Sequence, residues 1–590
     1  MINERISKLR KMMAKRNIDA YIVPSSDPHQ SEYLADYYKT REFITGFTGS
    51  AGTAVITTKK SGLWTDGRYF IQAAKELAAG EVELYKTGLP ESISIEEFLL
   101  QEFPNRGKIA FDGNNTSVAE YENLIKKLPN FEFITDVDYV GEIWNEEGRP
   151  ASPDSKVYIF DEKYAGESTS DRLARLRAMM KERGIDYHFI GSLDDIAYVL
   201  NIRANDVQCN PVVISYLLVS DKACNLYIDK SKLSEEVANY LKENNVCIKP
   251  YEVIGRDVSD IEARKTLYLE PRKTNVAVYS SIGRGVNVVT GTNLTSLMKC
   301  HKNEIEIKNT KNAYIKDGAL VRFLNWLETG IPTGTITEMI ASEKLLEFRK
   351  QQDLFIEDSF ESISAYGANA SMPHYKPSHE NPVKVEPRGL YLIDSGGHYL
   401  DGTTDITRTI AVGKLKEEEI YHYTLVLKAH INLMEAKFLE GTNGGYLDAF
   451  TRYCLWKNRI NFNHGTGHGV GHVLNVHEGP QRIATAGNEY PMEVGMVTSD
   501  EPGIYISGSH GIRIESIMVC VEDEMTEFGQ FLKFDNLTVV PIDTRPVDKS
   551  LLSDDEIAWL NDYNKMCYEK LSPYLSGHDL EYLREQCKEI

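Results

Sequence analysis

Carboxylates and imidazoles in the second half of the chain are the residues whose types and spacing could do chemistry. Residues 391–410, YLIDSGGHYLDGTTDITRTI, run apolar up to Asp394, turn at Gly396-Gly397 and again at Asp401-Gly402, and carry Asp405 in a β-branched run ending at Thr409-Ile410. The pattern predicts short antiparallel strands, with Asp394 at the end of one and Asp405 inside another, so the turns return two carboxylates toward one spot. Carboxylates directed into a fold repel. The repulsion is relieved by a bound cation, an arginine or a shared proton, and a cation is the expectation to test.

Four histidines follow in NHGTGHGVGHVLNVHEG, residues 463–479: His464, His468, His472 and His477. Position 465 is glycine, so the spacing is not HExxH, and the glycines disfavour the helix that a zinc peptidase of that type needs. Glycine-rich backbone carrying imidazoles suits a strand or bulge passing close to a ligand or metal. His472 is expected as a partly exposed strand residue with no role as a ligand. In Asp500-Glu501-Pro502-Gly503 the proline forces Glu501 into extended backbone at a strand end. In Gly511-Ile512-Arg513-Ile514-Glu515 strict alternation puts Arg513 and Glu515 on one face. They could simply pair on an exposed sheet, but three other carboxylates of the same description favour a shared site. His374 stands just after a proline in YGANASMPHYK, residues 366–376, and by itself a loop histidine is solvated.

These side chains need elements to hold them, and the length supplies several domains. A chain of 590 residues exceeds one hydrophobic core and predicts about three or four domains. With 42% hydrophobic and 26% charged residues the composition is that of a globular protein. The net charge of -21 argues against nucleic acid or an anionic membrane as a partner. Eight cysteines without CxxC spacing fit free thiols in a reducing compartment. The opening MINERISKLRKMM is charged and helical in pattern, and no run reaches the roughly eighteen apolar residues of a membrane span, so a cytoplasmic location is expected.

The chain also repeats itself. Residues 5–16 form an amphipathic helix pattern and residues 18–23 a buried strand closed by Pro24. Residues 172–190, RLARLRAMMKERGIDYHFI, align without a gap with residues 5–23, RISKLRKMMAKRNIDAYIV. A period this long is a duplicated domain. Two similar α/β domains are expected, 1–155 and 156–303, with the polar segment 145–155 between them. The first copy carries Arg68 in TDGRYF where the second has Asn225-Leu226-Tyr227-Ile228-Asp229, so Arg68 is either a functional addition or a surface arginine paired with Asp66. From Lys302 the character changes. Residues 304–327 predict one long amphipathic helix, and Thr335-Ile336-Thr337-Glu338 opens another reaching about residue 350. A third domain is expected over 304–590, with a tail from about 545 in which Ser553 and Glu556 form a capping box.

Asp394 in DSGG, Asp405 in GTTDITRT, His468 in HGTGHGVG, Glu501 in DEPG and Glu515 in GIRIE together resemble the five-ligand dinuclear site of the pita-bread metallopeptidases. FTGSAGTAVIT, TDGRYF, HYKP, HGTGHGVGHVLNVHEGP and SDEPGIY extend the resemblance over nearly the whole chain to the long, three-domain aminopeptidase P family, the Xaa-Pro aminopeptidases. The resemblance implies an α/β and α+β multidomain protein. Two creatinase N-terminal-like α/β domains would precede a pita-bread catalytic domain with a helical tail. It implies two divalent ions held by Asp394, Asp405, His468, Glu501 and Glu515, with Asp405 bidentate and Asp394 and Glu515 as bridges. That oxygen-rich set suits Mn²⁺, with Zn²⁺ or Co²⁺ as substitutes.

By the same resemblance a hydroxide between the ions is the nucleophile, and Glu501 takes the proton from the attacking water. His374 and His477 bind substrate, stabilise the oxyanion and protonate the departing proline nitrogen. His464 and His468 line the substrate, Arg513 orients Glu515, and Arg68 binds peptide from the first domain, across a homodimer. His398 in DSGGHYL is a departure, expected as an exposed hairpin residue. The implied reaction removes the first residue of a peptide whose second residue is proline. The alternatives are a prolidase-like Xaa-Pro dipeptidase, against which stand the duplicated N-terminal domains and the tail, and a metal-free peptide-binding or scaffold protein on the same fold, against which stands the presence of all five ligands.

Overall fold

Apolar spacing decides the first layers of the fold. The helix Ile2–Lys15 buries Ile6, Leu9 and Met13 along one stripe. Each such side chain contributes roughly 1.5–3 kcal/mol on leaving water. They pack in one core with Tyr21 and Val23 of the strand Ala20–Pro24. In the computed structural model, which describes residues 1–487 and 489–590, two units emerge. One comprises Met1–Glu162 with Glu167–Met298, the other Lys163–Gly166 with Lys299–Ile590.

The first unit contains the repeated pattern as two six-stranded sheets of the same topology. In one, Ala20–Pro24 lies between the antiparallel Thr53–Thr57 and the parallel Lys108–Ala110. In the other, Tyr187–Ile190 lies between the antiparallel Ser215–Ser220 and the parallel Thr266–Leu269, behind the helix Thr169–Glu182. The halves meet symmetrically. Val118 N–H donates to Thr274 O at 2.9 Å and Val276 N–H to Thr116 O at 3.0 Å, while Ala119 N–H donates to Pro271 O and Ala277 N–H to Gly113 O. Such reciprocal pairing is the signature of a two-fold interface, here within one chain.

In the second unit the expected single helix is two, Glu304–Lys316 and Ala319–Gly330. The break falls at Asp317-Gly318, where the Asp317 carboxylate is fully buried on Arg349 and a Cβ on residue 318 would stand 2.8 Å from Ile315 O. Tertiary contacts there override the helical pattern. Glu338–Arg349 forms as expected, capped by Thr337, whose hydroxyl accepts from Ile340 N–H. Leu390–Ser395 pairs antiparallel with Ile363–Tyr366 on one side and with Ile406–Ala411 on the other. A six-stranded sheet includes Gly467–Gly469, Glu478–Ile483, Val497–Asp500 and Ser516–Thr526. Tyr391 and Ile393 of the first sheet share a core with Val497, Ile517 and Val519 of the second. The tail helix Asp554–Leu571 starts at the Ser553–Glu556 capping box and buries Leu560, Tyr563, Cys567 and Leu571. All eight cysteines are free, and no described helix is long and apolar enough to cross a membrane.

Candidate metal centre

Five chain segments of the second unit converge at their strand ends. Asp394 is the penultimate residue of Leu390–Ser395 and lies opposite Thr407 in the ladder. Asp405 stands just ahead of Ile406–Ala411 rather than inside it, with its N–H donated to Tyr314 OH at 3.2 Å. His468 occupies Gly467–Gly469 at a register shift between His468 and Gly469, so the expected strand or bulge is a strand with a bulge. Glu501 follows Val497–Asp500, and Glu515 sits between His510–Arg513 and Ser516–Thr526.

Ligand-type atoms of Asp394, Asp405 and Glu515 lie within 4.8 Å of one another, as do those of His468, Glu501 and Glu515. A third such group joins Asp405 and His468 to His477, whose ring is 4.3 Å from that of His468. Asp394, Asp405 and Glu515 are buried. Burial raises the Asp394 carboxyl above its ordinary range, and Glu501 is pushed up to about 7, again chiefly by burial. Glu515 is driven well above the carboxylate range by burial, with Asp405, Glu501 and Asp394 adding to it.

These groups fit divalent cations on two independent grounds. The Asp394 Oδ1 atom is buried and has no hydrogen-bond partner among the described residues. His468 Nδ1 lies 2.9 Å from Gly469 O, and since a carbonyl only accepts, this nitrogen carries the proton. Nε2, the nitrogen left to face the site, is directed at Asp405 Oδ2, 3.5 Å away, and Glu501 Oε1, 3.6 Å away. A ring nitrogen set among carboxylates, with the ring held in place by its other nitrogen, is the arrangement of a histidine metal ligand.

Arg513 is placed differently from expectation. It is buried, as a shared site requires and an exposed pairing does not, but its Nη2 donates to Asp394 Oδ2 at 2.5 Å instead of to Glu515. It reaches Glu515 through Thr407, accepting nothing itself: Arg513 Nε donates to Thr407 Oγ1 at 3.1 Å, and that hydroxyl donates to Glu515 Oε2 at 2.7 Å. Arg513 Nη2 also approaches Pro373 O at 3.4 Å, the carbonyl just before half-buried His374. Its Nη1 donates to Tyr505 OH at 2.6 Å, and that hydroxyl lies 2.8 Å from His464 Nε2. Tyr505, Thr407 and Tyr314 had no role on sequence grounds, although Tyr505 lies in the quoted SDEPGIY run; their side chains matter through partners far away in the chain.

Two histidines correct their expected placement. His398 is fully buried, not exposed, with Nδ1 2.9 Å from Thr403 Oγ1, because its strand Gly397–Tyr399 is covered on both faces. His472 is neither exposed nor in a strand. It is buried in a bend, where Thr310 Oγ1 and Tyr164 O satisfy its two nitrogens at 3.1 and 3.0 Å. Arg68 belongs to the first unit, where its guanidinium makes two 2.8 Å contacts with Asp66.

With this geometry in place, family models match along the chain. Residues 5–140 and 148–306 match creatinase/prolidase N-terminal domains, residues 309–522 match metallopeptidase family M24, and residues 530–590 match the C-terminal region of peptidase M24. Aminopeptidase P2 of Arabidopsis thaliana is 39% identical over 98% of this chain and 87% of its own length. Xaa-Pro aminopeptidase 1 of Dictyostelium discoideum is 37% identical over 100% of this chain and 97% of its own. The crystal structure of X-prolyl aminopeptidase from Caenorhabditis elegans, described as a cytosolic enzyme with a di-nuclear active site, superposes with a TM-score of 0.96 at 37% identity, covering all of both chains.

Proposed function

Because this chain belongs to metallopeptidase family M24 and, within it, to the Xaa-Pro aminopeptidases, we propose that it releases the N-terminal residue from peptides with proline in second position by means of two divalent ions. The observation that carries the metal reading is His468 Nε2 directed at two carboxylates beside an Asp394 oxygen that has no partner among the described residues. Asp394, Asp405, His468, Glu501 and Glu515 would hold the ions, and the oxygen-rich set favours Mn²⁺. When bound, such a pair supplies a water acidic enough to attack near neutral pH and polarises the scissile carbonyl.

The chain's own groups supply the rest. Glu501 accepts the proton of the attacking water, and His374 and His477 hydrogen-bond the carbonyl oxygen as it gains charge and return a proton to the proline nitrogen. Arg513 holds Asp394 and the carbonyl preceding His374 in one grip, which ties the metal carboxylate to the substrate loop. His464, fixed by Tyr505, borders the peptide. A penultimate proline brings no N–H, so its pocket need not satisfy an amide donor.

The homodimer is part of this reading. The helix Gly444–Lys457 exposes Tyr446, Phe450, Tyr453 and Trp456 on one face, at 71%, 42%, 64% and 52% of their surface. An aromatic stripe of that kind suits a second copy of the chain. Tyr453→Asp is expected to shift sedimentation from dimer to monomer, and a wild-type monomer at micromolar concentration would remove the dimer from the reading. Cytoplasmic residence accords with eight free thiols.

Hydrolysis by metal-stripped protein with Mn²⁺ restored tests the whole. Metal-dependent release of one residue from Xaa-Pro-Xaa, with little turnover of Xaa-Pro or Xaa-Ala-Xaa, is the expected result. Preference for the dipeptide would move the assignment to a prolidase, and no turnover with any metal would leave a binding protein.

A further inference from the structure

The hairpin carrying Asp394 and Asp405 is held from beneath by the buried ion pair that also marks the helix break at Asp317-Gly318. Asp317 and Arg349 are both fully buried, with Arg349 Nε 2.6 Å from Asp317 Oδ1 and Nη2 3.0 Å from Oδ2. The same carboxylate takes two further donors, Tyr399 OH at 3.1 Å on Oδ1 and Thr404 Oγ1 at 2.7 Å on Oδ2. Arg349 Nη2 also donates to Ser395 Oγ at 3.1 Å. Ser395 follows Asp394, and Thr404 precedes Asp405. The two ends of the hairpin are thus gripped by the two halves of one ion pair. They lie close enough that a Cβ on Gly396 would stand 1.9 Å from Thr404 O.

We infer that Asp317 and Arg349 are positioning residues that set the separation of the Asp394 and Asp405 carboxylates for the metal pair, an inference that rests on the dinuclear reading. A buried ion pair contributes little net stability, since desolvation offsets its attraction. Four donors on one carboxylate nevertheless make it a rigid anchor, and anchors behind ligands govern metal affinity. The pair also stands at the helix break at Asp317-Gly318 and at the end of Glu338–Arg349, so two helices deliver it to the hairpin.

The test is Mn²⁺ titration calorimetry on the metal-stripped full-length protein, paired with thermal unfolding of the metal-free form. The triple variant Asp317→Leu/Arg349→Met/Asp358→Asn removes the clamp together with the Asp358 carboxylate that Arg349 Nη1 approaches at 3.8 Å, so no lone charge is left. It is expected to unfold near the wild-type temperature and to bind Mn²⁺ about 10–100-fold more weakly. If that variant does not fold, Ser395→Ala deletes the Arg349 contact and Thr404→Val deletes the Asp317 contact together with the bond from Gly397 N–H; both are expected to weaken Mn²⁺ several-fold, Ser395→Ala with unchanged metal-free unfolding. Unchanged affinity in the folded triple variant, or in both single variants, overturns the inference. The buried Lys232–Asp206 pair of the first unit is the control. An equal loss of affinity in Asp206→Leu/Lys232→Met would mark a general stability effect and also overturn it. A wild-type protein that fails to bind two ions per chain would instead remove the dinuclear reading itself.

Discussion

Asp394, Asp405, Glu501 and Glu515 crowd four carboxylates around a single arginine, so the metal-free site is electrostatically unfinished. Asp405→Asn removes one of the repelling charges along with a ligand. The metal-free variant should unfold at the wild-type temperature or above it, while Mn²⁺-dependent peptidase activity falls by more than the roughly 100-fold typical of an outer partner. Near-wild-type turnover with Mn²⁺ would disprove the role given to Asp405. The types of these residues were legible in the sequence because several carboxylates and an imidazole recur in order at turns and strand ends, a combination that single turn or cap residues do not produce. The partners were less so. Arg513 was matched to Glu515 by alternation, but the strand ends at Arg513, its side chain turns to Asp394, and Thr407 carries the link to Glu515.

Glycines and buried strand residues set the site at the scale of elements. A Cβ on Gly467 would stand 2.0 Å from Ser499 O, so the strand Gly467–Gly469 can approach Val497–Asp500 only without a side chain there. Gly467→Ala should cost about 1–3 kcal/mol of stability through overpacking and weaken Mn²⁺ by displacing His468. Denaturant unfolding and calorimetry would read the two effects, and an unperturbed variant would contradict the close approach. In the first unit, His188 on Tyr187–Ile190 is buried between Leu294 N–H and Tyr268 O, and burial lowers its pKa from 6.5 to about 4. Its folded-state pKa lies below the unfolded one. The stability it contributes is therefore present above pH 6.5 and is lost as pH falls through 4, up to on the order of 3 kcal/mol. His188→Gln should flatten the dependence of thermal unfolding on pH in that window; an unchanged slope would assign the acid sensitivity elsewhere. The strands were foreseeable from alternation. The break at Asp317-Gly318 was not, because an amphipathic stripe continues across it and only Arg349, distant in sequence, explains why the helix stops.

Across the whole molecule, duplication is the strongest organising fact. Aligned segments 5–23 and 172–190 fold into matching sheets whose halves exchange reciprocal main-chain hydrogen bonds. Under the proposed function Arg68 is the first unit's candidate for binding peptide. Arg68→Ala should raise KM for longer Xaa-Pro peptides while leaving Mn²⁺ affinity unaltered, and an unchanged KM would leave Arg68 as the partner of Asp66 alone. Residue types, their order along the chain and the internal repeat were enough to determine the family, the metal-binding character of the site and the duplicated α/β architecture, because local pattern and donor chemistry are properties of the sequence itself. Tertiary structure alone decided that His398 and His472 are buried and satisfied, that Arg513 serves Asp394, and that Asp317 and Arg349 stand beneath the hairpin. Those outcomes depend on which distant segments exclude water from a side chain and supply its hydrogen bonds, and neither spacing nor composition encodes that.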